Sequence, residues 1–187
     1  LAVTQGTVTV TLSGAASISA GANSSATLTV SGTQAEINTV LGTVSYQGSS
    51  DFNGSDTLTV LSTDSGPLTD TDTVAITVNA VNDAPVNTVP GAQTVNEDTS
   101  LSVTGLSVAD VDGDLSTTKL TVTQGTVSVT LSGAASISAG ANASATLTVS
   151  GTQTEINTVL GTVSYQGSSN FNGSDTLTVL STDSGPL

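Results

Sequence analysis

Almost every side chain in this sequence that could do chemistry is a carboxylate. The tightest grouping is Asp110-Val111-Asp112-Gly113-Asp114, three acids in five residues around a glycine. Other acids lie beside turn formers: Asp64, Asp70 and Asp72 around one turn-rich stretch, Asp83 before Ala84-Pro85, and Glu97-Asp98 after Pro90. Clustered carboxylates repel one another unless a cation sits among them. Oxygen ligands unaccompanied by His or Cys favour Ca²⁺ over zinc or copper. The Asp110–Asp114 loop is not an EF-hand, because Gly113 comes at its fourth position and Thr121 stands where the closing Glu belongs. No glycine-rich nonapeptide Ca²⁺ repeat accompanies it. The competing reading is a solvated Asp-rich turn.

Other chemistries lack their reagents. The chain has no His, Cys, Met, Trp or Arg, and Lys119 is its only basic side chain. Serines are plentiful, but a nucleophilic Ser needs a base, and only Lys119 could serve. A paired-carboxylate hydrolase needs an aromatic-walled cleft, and two Tyr with two Phe build none. The expectation is therefore that the chain is not an enzyme. A net charge of −14 disfavours nucleic acid and anionic membrane surfaces as partners. No apolar run approaches the roughly 20 residues that span a bilayer, so no direct membrane insertion is expected. With no cysteine, disulfides contribute nothing to stability. An acidic chain poor in aromatics can be disordered. Here a mean hydropathy of +0.21 and alternating Val, Leu, Ile and Thr argue for a folded protein.

The elements that must carry the acids are short strands. Thr7–Leu12, Ala26–Val30, Thr57–Val60, Thr73–Val78 and Leu101–Val103 alternate apolar and polar residues. Turn formers such as Ser13-Gly14, Gly21-Ala22-Asn23 and Asn53-Gly54 separate them. Thr33–Gly42 breaks the pattern. Thr33 and Glu36 form a capping box, Ile37, Val40 and Leu41 share one helical face, and Gly42 suits the C′ position. The same features recur in Thr152–Gly161, and core packing is the preferred role for both helices. The expected fold is all-β: Ig-like, cadherin-like β-sandwich repeats in tandem, each with one short helix.

The tandem arrangement is written in the sequence. Leu1–Leu68 recurs as Leu120–Leu187, an offset of 119 residues. Only Ala2/Thr121, Thr9/Ser128, Ser24/Ala143, Ala35/Thr154 and Asp51/Asn170 differ. That period suits a small domain rather than a solenoid unit. Residues 1–81 are expected to form the C-terminal part of one repeat, and residues 82–187 most of the next, lacking its last strand. Pro85 and Pro90 suggest an extended linker between them.

At this point the chain resembles a family. Thr63–Pro67, Thr73–Val78 and Val81-Asn82-Asp83-Ala84-Pro85-Val86 resemble the closing strands and linker of a cadherin-type repeat. Asn96-Glu97-Asp98 and Ala109–Asp112 resemble the acidic positions of the repeat that follows. Phe52-Asn53-Gly54-Ser55-Asp56, with its copy from Phe171, is similar to a signature of bacterial cadherin-like tandem repeats. The resemblance implies Ca²⁺ held by Asn82, Asp83, Glu97, Asp110 and Asp112, with Asp64 as a further candidate. Asn79 departs from the pattern, standing where such linkers carry an acid. The resemblance also implies an extracellular, bacterial-surface location. The function would be a structural extender, or stalk, in a giant biofilm adhesin, stiffened by Ca²⁺ at the junctions between neighbouring repeats. The alternative is an extracellular filament subunit, in which copies of the chain pair laterally or exchange strands.

Overall fold

The computed structural model describes residues 1–66 and 68–185. Pro67, the last residue of the Thr63–Pro67 stretch, lies outside the described residues, as do Pro186 and Leu187. The chain divides into two compact units, Leu1–Val81 and Asn82–Leu187.

The first unit contains β1 (Gly6–Thr9), β2 (Ser17–Gly21), β3 (Leu28–Ser31), α1 (Gln34–Leu41), β4 (Ser45–Gly48), β5 (Gly54–Thr63) and β6 (Thr69–Val78). Its pairings are all antiparallel, β1 with β4, β2 with β3 and β5 with β6. Val3, Val8, Val10, Ala16, Leu28, Val40 and Leu58 form its core.

The second unit contains β7 (Val86–Thr88), β8 (Ser100–Ser102), β9 (Ser107–Ala109), β10 (Leu115–Thr121) and β11 (Gly125–Ser128). It continues with β12 (Ser136–Gly140), β13 (Thr146–Ser150), α2 (Gln153–Leu160), β14 (Ser164–Gly167) and β15 (Thr178–Asp183). The strands form three small sheets, ordered β12-β13-β10-β15, β11-β14-β8 and β7-β9. Leu120, Val127, Leu147, Val149, Ile156 and Val163 are fully buried in the core of this unit. The all-β class expected from alternation is present, with one short helix in each unit.

Strands end where a side chain takes the place of a neighbouring backbone. Alternation over Thr7–Leu12 suggests six residues, yet β1 stops at Thr9. The Asn23 amide closes on the next peptide instead: its Oδ1 accepts from Val10 N and its Nδ2 donates to Val10 O, both at 2.8 Å. Asn142 does the same to Val129. The residue after that Asn adopts a left-handed conformation, Ser24 at φ 57° and Ala143 at φ 56°.

Both helices carry the expected capping box, Thr33 with Glu36 and Thr152 with Glu155. Each Glu also accepts a 2.7 Å hydrogen bond from a distant amide, Ala15 N or Ala134 N, which ties the helix start to the preceding turn. The glycine after each helix differs from expectation. Gly42 (φ −64°) and Gly161 (φ −65°) remain right-handed, so neither ends its helix by a left-handed turn. Thr43 and Thr162 end it, each hydroxyl donating at 2.7 Å to a carbonyl of the last turn, that of Val40 or Val159.

A carboxylate fastens each repeat internally, buried in the first copy and half-buried in the second. Asp56, 3 % exposed, accepts from Thr4 N, Thr4 Oγ1, Gln5 N and Thr57 N. Asp175 makes the same bonds to Thr123, Gln124 and Thr176. Burial pushes the Asp175 carboxyl up, but these hydrogen bonds together outweigh it and bring it down to about 2. Asp56 is held well below the usual carboxylate range for the same reasons. Tyr165 and Tyr46 are raised, first by burial and then by the adjacent Asp175 or Asp56.

Two outcomes follow. A carboxyl whose folded pKa is depressed stabilises above its unfolded value near 4 and loses that contribution as pH falls. Asp175→Asn is therefore less stable than wild type at pH 6, and the gap closes between about pH 4 and pH 2, as urea titrations at both ends will show. Ala143→Gly removes a left-handed alanine and should raise stability by about 0.5–1 kcal/mol, read as a shift in urea midpoint at constant slope.

Candidate metal centre

Four strand ends of the second unit meet at one place. β9 ends at Ala109, and Asp110 opens the loop to β10. Asp114 closes that loop beside Leu115, which pairs with Asp183 at the end of β15. Asn82 lies four residues before β7, the strand that pairs with β9. Oxygens of Asp110, Asp114 and Asp183 lie within 4.8 Å of one another.

Asn82, Asp110 and Asp114 are each held by part of the side chain and leave one oxygen free, whereas both oxygens of Asp183 are engaged. Asp110 is 7 % exposed; its Oδ1 accepts from Asp112 N at 3.0 Å and Gly113 N at 3.2 Å. Asp114 Oδ2 accepts from Ser184 Oγ at 3.0 Å. Asp183 Oδ1 accepts from Gly185 N at 3.1 Å, and its Oδ2 from Asn82 Nδ2 at 3.0 Å. What remains is Asp110 Oδ2, Asp114 Oδ1 and Asn82 Oδ1, all buried and all without a partner among the described residues. A buried polar atom is normally paired, so three orphans at one locus need an explanation. The charges need one too. Carboxylates this close oppose one another by at least about 3 kcal/mol per pair at an effective dielectric near 20. The only basic side chain, Lys119, sits in mid-strand between Thr148 and Leu180.

A hard divalent cation satisfies both demands. Three carboxylate oxygens, one amide carbonyl and water form an oxygen set suited to Ca²⁺ at 2.3–2.6 Å, with no soft donor to favour zinc or copper. The residues present fit the ion.

Of the residues that the sequence nominates, Asn82 and Asp110 belong to this cluster. The others do not. Asp112 Oδ2 accepts from Asp83 N, and Asp83 itself is exposed and contributes its backbone N–H. Glu97 is exposed and lines an open groove of about 750 Å³ with Tyr165 and Phe171. Asp64 lies in the first unit, where its Oδ1 accepts from Gly66 N and Leu68 N at 2.8 and 2.9 Å. Its copy, Asp183, is the one in the cluster. Asp114 was in plain view in the nominated loop, and the 119-residue offset applied to Asp64 leads directly to Asp183.

Helix α2 also does more than fill the core. Ile156, Val159 and Leu160 are buried. Beside these buried residues, Asn157 Oδ1 accepts from Val108 N and its Nδ2 donates to Val108 O, both at 2.8 Å. Gln153 Oε1 accepts from Asp110 N at 2.9 Å. No helix among the described residues is long and apolar enough to cross a membrane.

The model of one family, described as Protein GAMETE EXPRESSED 2 domain, matches residues 1–83 and 100–185, and so takes in both copies of the repeat. No curated protein and no solved structure shows a match to the chain. The family match overturns the resemblance to bacterial cadherin-like repeats. With it go the biofilm-adhesin extender and the filament subunit. The fragments behind that resemblance were turn and linker motifs such as Asn53-Gly54 and Asp83-Ala84-Pro85, whose residues suit tight turns and extended linkers in any short-stranded β protein.

Proposed function

We propose that this chain, which belongs to the Protein GAMETE EXPRESSED 2 domain family, is a non-catalytic Ca²⁺-binding β module of a gamete-expressed protein. The observation that carries the reading is the set of buried, unpartnered oxygens of Asn82, Asp110 and Asp114 beside Asp183. Ca²⁺ there draws together the entry to β7, the β9–β10 loop and the end of β15, so the ion and the fold of the second unit stabilise one another. An extracellular setting suits such a site, since modules of that kind bind at about 10⁻⁴–10⁻³ M and meet millimolar Ca²⁺ outside cells. The lack of His, Cys and Arg supports a binding role over catalysis. The net charge of −14 supports partners other than nucleic acid.

The finer architecture we propose for the second unit is a β-sandwich. Core residues Leu120, Leu147 and Val149 come from the four-stranded sheet and Val127 from the three-stranded one, and all belong to a single cluster. Two sheets sharing one core is the arrangement a sandwich requires.

Ca²⁺ at 100-fold excess over its dissociation constant should stabilise the second unit by about 2.7 kcal/mol. For a domain of this size the unfolding midpoint then rises by about 10 °C or more. Asp114→Asn separates the possibilities by sign. Without Ca²⁺ it relieves repulsion and should raise the midpoint, whereas with Ca²⁺ it loses a ligand and should lower it relative to wild type. Glu97→Gln should leave the Ca²⁺ response intact. A wild-type chain whose midpoint and calorimetric titration ignore Ca²⁺ would end this reading.

A further inference from the structure

We propose that helix α2 is the positioning element of the cation site, with Gln153 setting Asp110 directly and Asn157 setting the strand that leads to it. The inference rests on the Ca²⁺ reading above and adds residues outside the ligand set. Gln153 and Asn157 are four residues apart and so share a helical face. β9 pairs with β7 through Ser107, Val108 and Ala109. Its other side is paired by the two amide side chains. Asn157 gives Val108 both a donor and an acceptor, as a neighbouring strand would, and Gln153 takes the N–H two residues on, that of Asp110. N–H groups two apart point to the same side of a strand, so one helical face can serve both.

The effect on Asp110 is specific. Its backbone N–H is fixed by Gln153, and its Oδ1 by the amides of Asp112 and Gly113. Only Oδ2 remains, buried and unpartnered, beside Asp114 and Asp183. Partners that orient metal ligands in this way typically change affinity by about 10- to 100-fold when removed.

Helix α1 has the same residues at the same places, Gln34 and Asn38, and the same capping box. Both side chains are exposed there and hydrogen-bond to nothing among the described residues, so neither amide is needed to build the helix. The amides are used where β9 and Asp110 lie against the helix.

The test is Ca²⁺ titration calorimetry on the full chain, with the Ca²⁺-free thermal midpoint recorded for each variant. Gln153→Ala should weaken Ca²⁺ binding by about 10-fold or more. Gln153→Glu keeps an acceptor for Asp110 N and should restore affinity to within about threefold of wild type. Gln34→Ala should change nothing. Asn157→Ala, as a second route to the same strand, should also weaken binding. If Gln153→Ala and Asn157→Ala lower the Ca²⁺-free midpoint but leave affinity at the wild-type value, the helix is merely structural and the proposal fails. It fails equally if Gln153→Glu binds as poorly as Gln153→Ala. Absence of binding by the wild-type chain would overturn the cation reading, and this inference with it.

Discussion

A peptide group that leaves water must find a hydrogen-bond partner, and strands this short run out of neighbours quickly. Several strands are only three to five residues long, such as β7, β8, β9 and β11. The protein meets the constraint with side chains. Asn23 and Asn142 close on Val10 and Val129, and Asn157 on Val108. Asp56 and Asp175 gather amides where the segment before β1 or β11 meets the region around β5 or before β15. Each such bond adds about 1 kcal/mol net, but leaving the buried group unpaired costs more, which explains why polar residues sit at fixed places in an apolar unit. An abundance of Ser, Thr, Asn and Asp is thus compatible with a compact fold lacking aromatic bulk.

The two helices separate what local sequence decides from what tertiary context decides. α1 and α2 differ at one position, Ala35 against Thr154, and have the same length, the same cap and the same end. Their burial differs. Val40 alone is buried in α1, whereas Ile156, Val159 and Leu160 are buried in α2. Capping and propensity make the helix; β9, β10 and β13 around α2 decide which of its side chains are covered. An identical amide is solvent-exposed in one copy and ordered in the other.

That division marks how far the sequence could be read. The capping boxes at Thr33 and Thr152 were visible because their signals lie within four residues. Strand existence was visible from alternation, but strand ends were not, since a distant Asn23 or Asn142 terminates the ladder. At the site, Asp110 and Asn82 could be named because their loop and linker contexts are local. Asp183 lies 73 residues beyond Asp110, and only its antiparallel pairing opposite Leu115 brings it there. Glu97 lies outside the cluster, lining the groove with Tyr165 and Phe171, since nearness to the linker in sequence does not fix where a loop lies in the unit. The role of Gln153 was hidden for the same reason: its partner is 43 residues away.

The exceptions to the pairing rule carry the functional argument. The buried side-chain atoms left without a partner among the described residues are Asn82 Oδ1, Asp110 Oδ2 and Asp114 Oδ1. Had they been scattered, they would read as small imperfections of packing. They share one locus, all three are oxygens, and a third acid, Asp183, lies within reach of the two carboxylates. A missing hydrogen-bond donor could satisfy one oxygen, but not a convergent set bearing three negative charges in a chain with a single lysine far along a strand. On the proposed reading, a divalent cation would answer the unpaired oxygens and the uncompensated charge together. The side chains that finish the strand ladders of Val10, Val108 and Val129 have no counterpart for these three oxygens among the described residues, and the proposed cation site rests on that contrast.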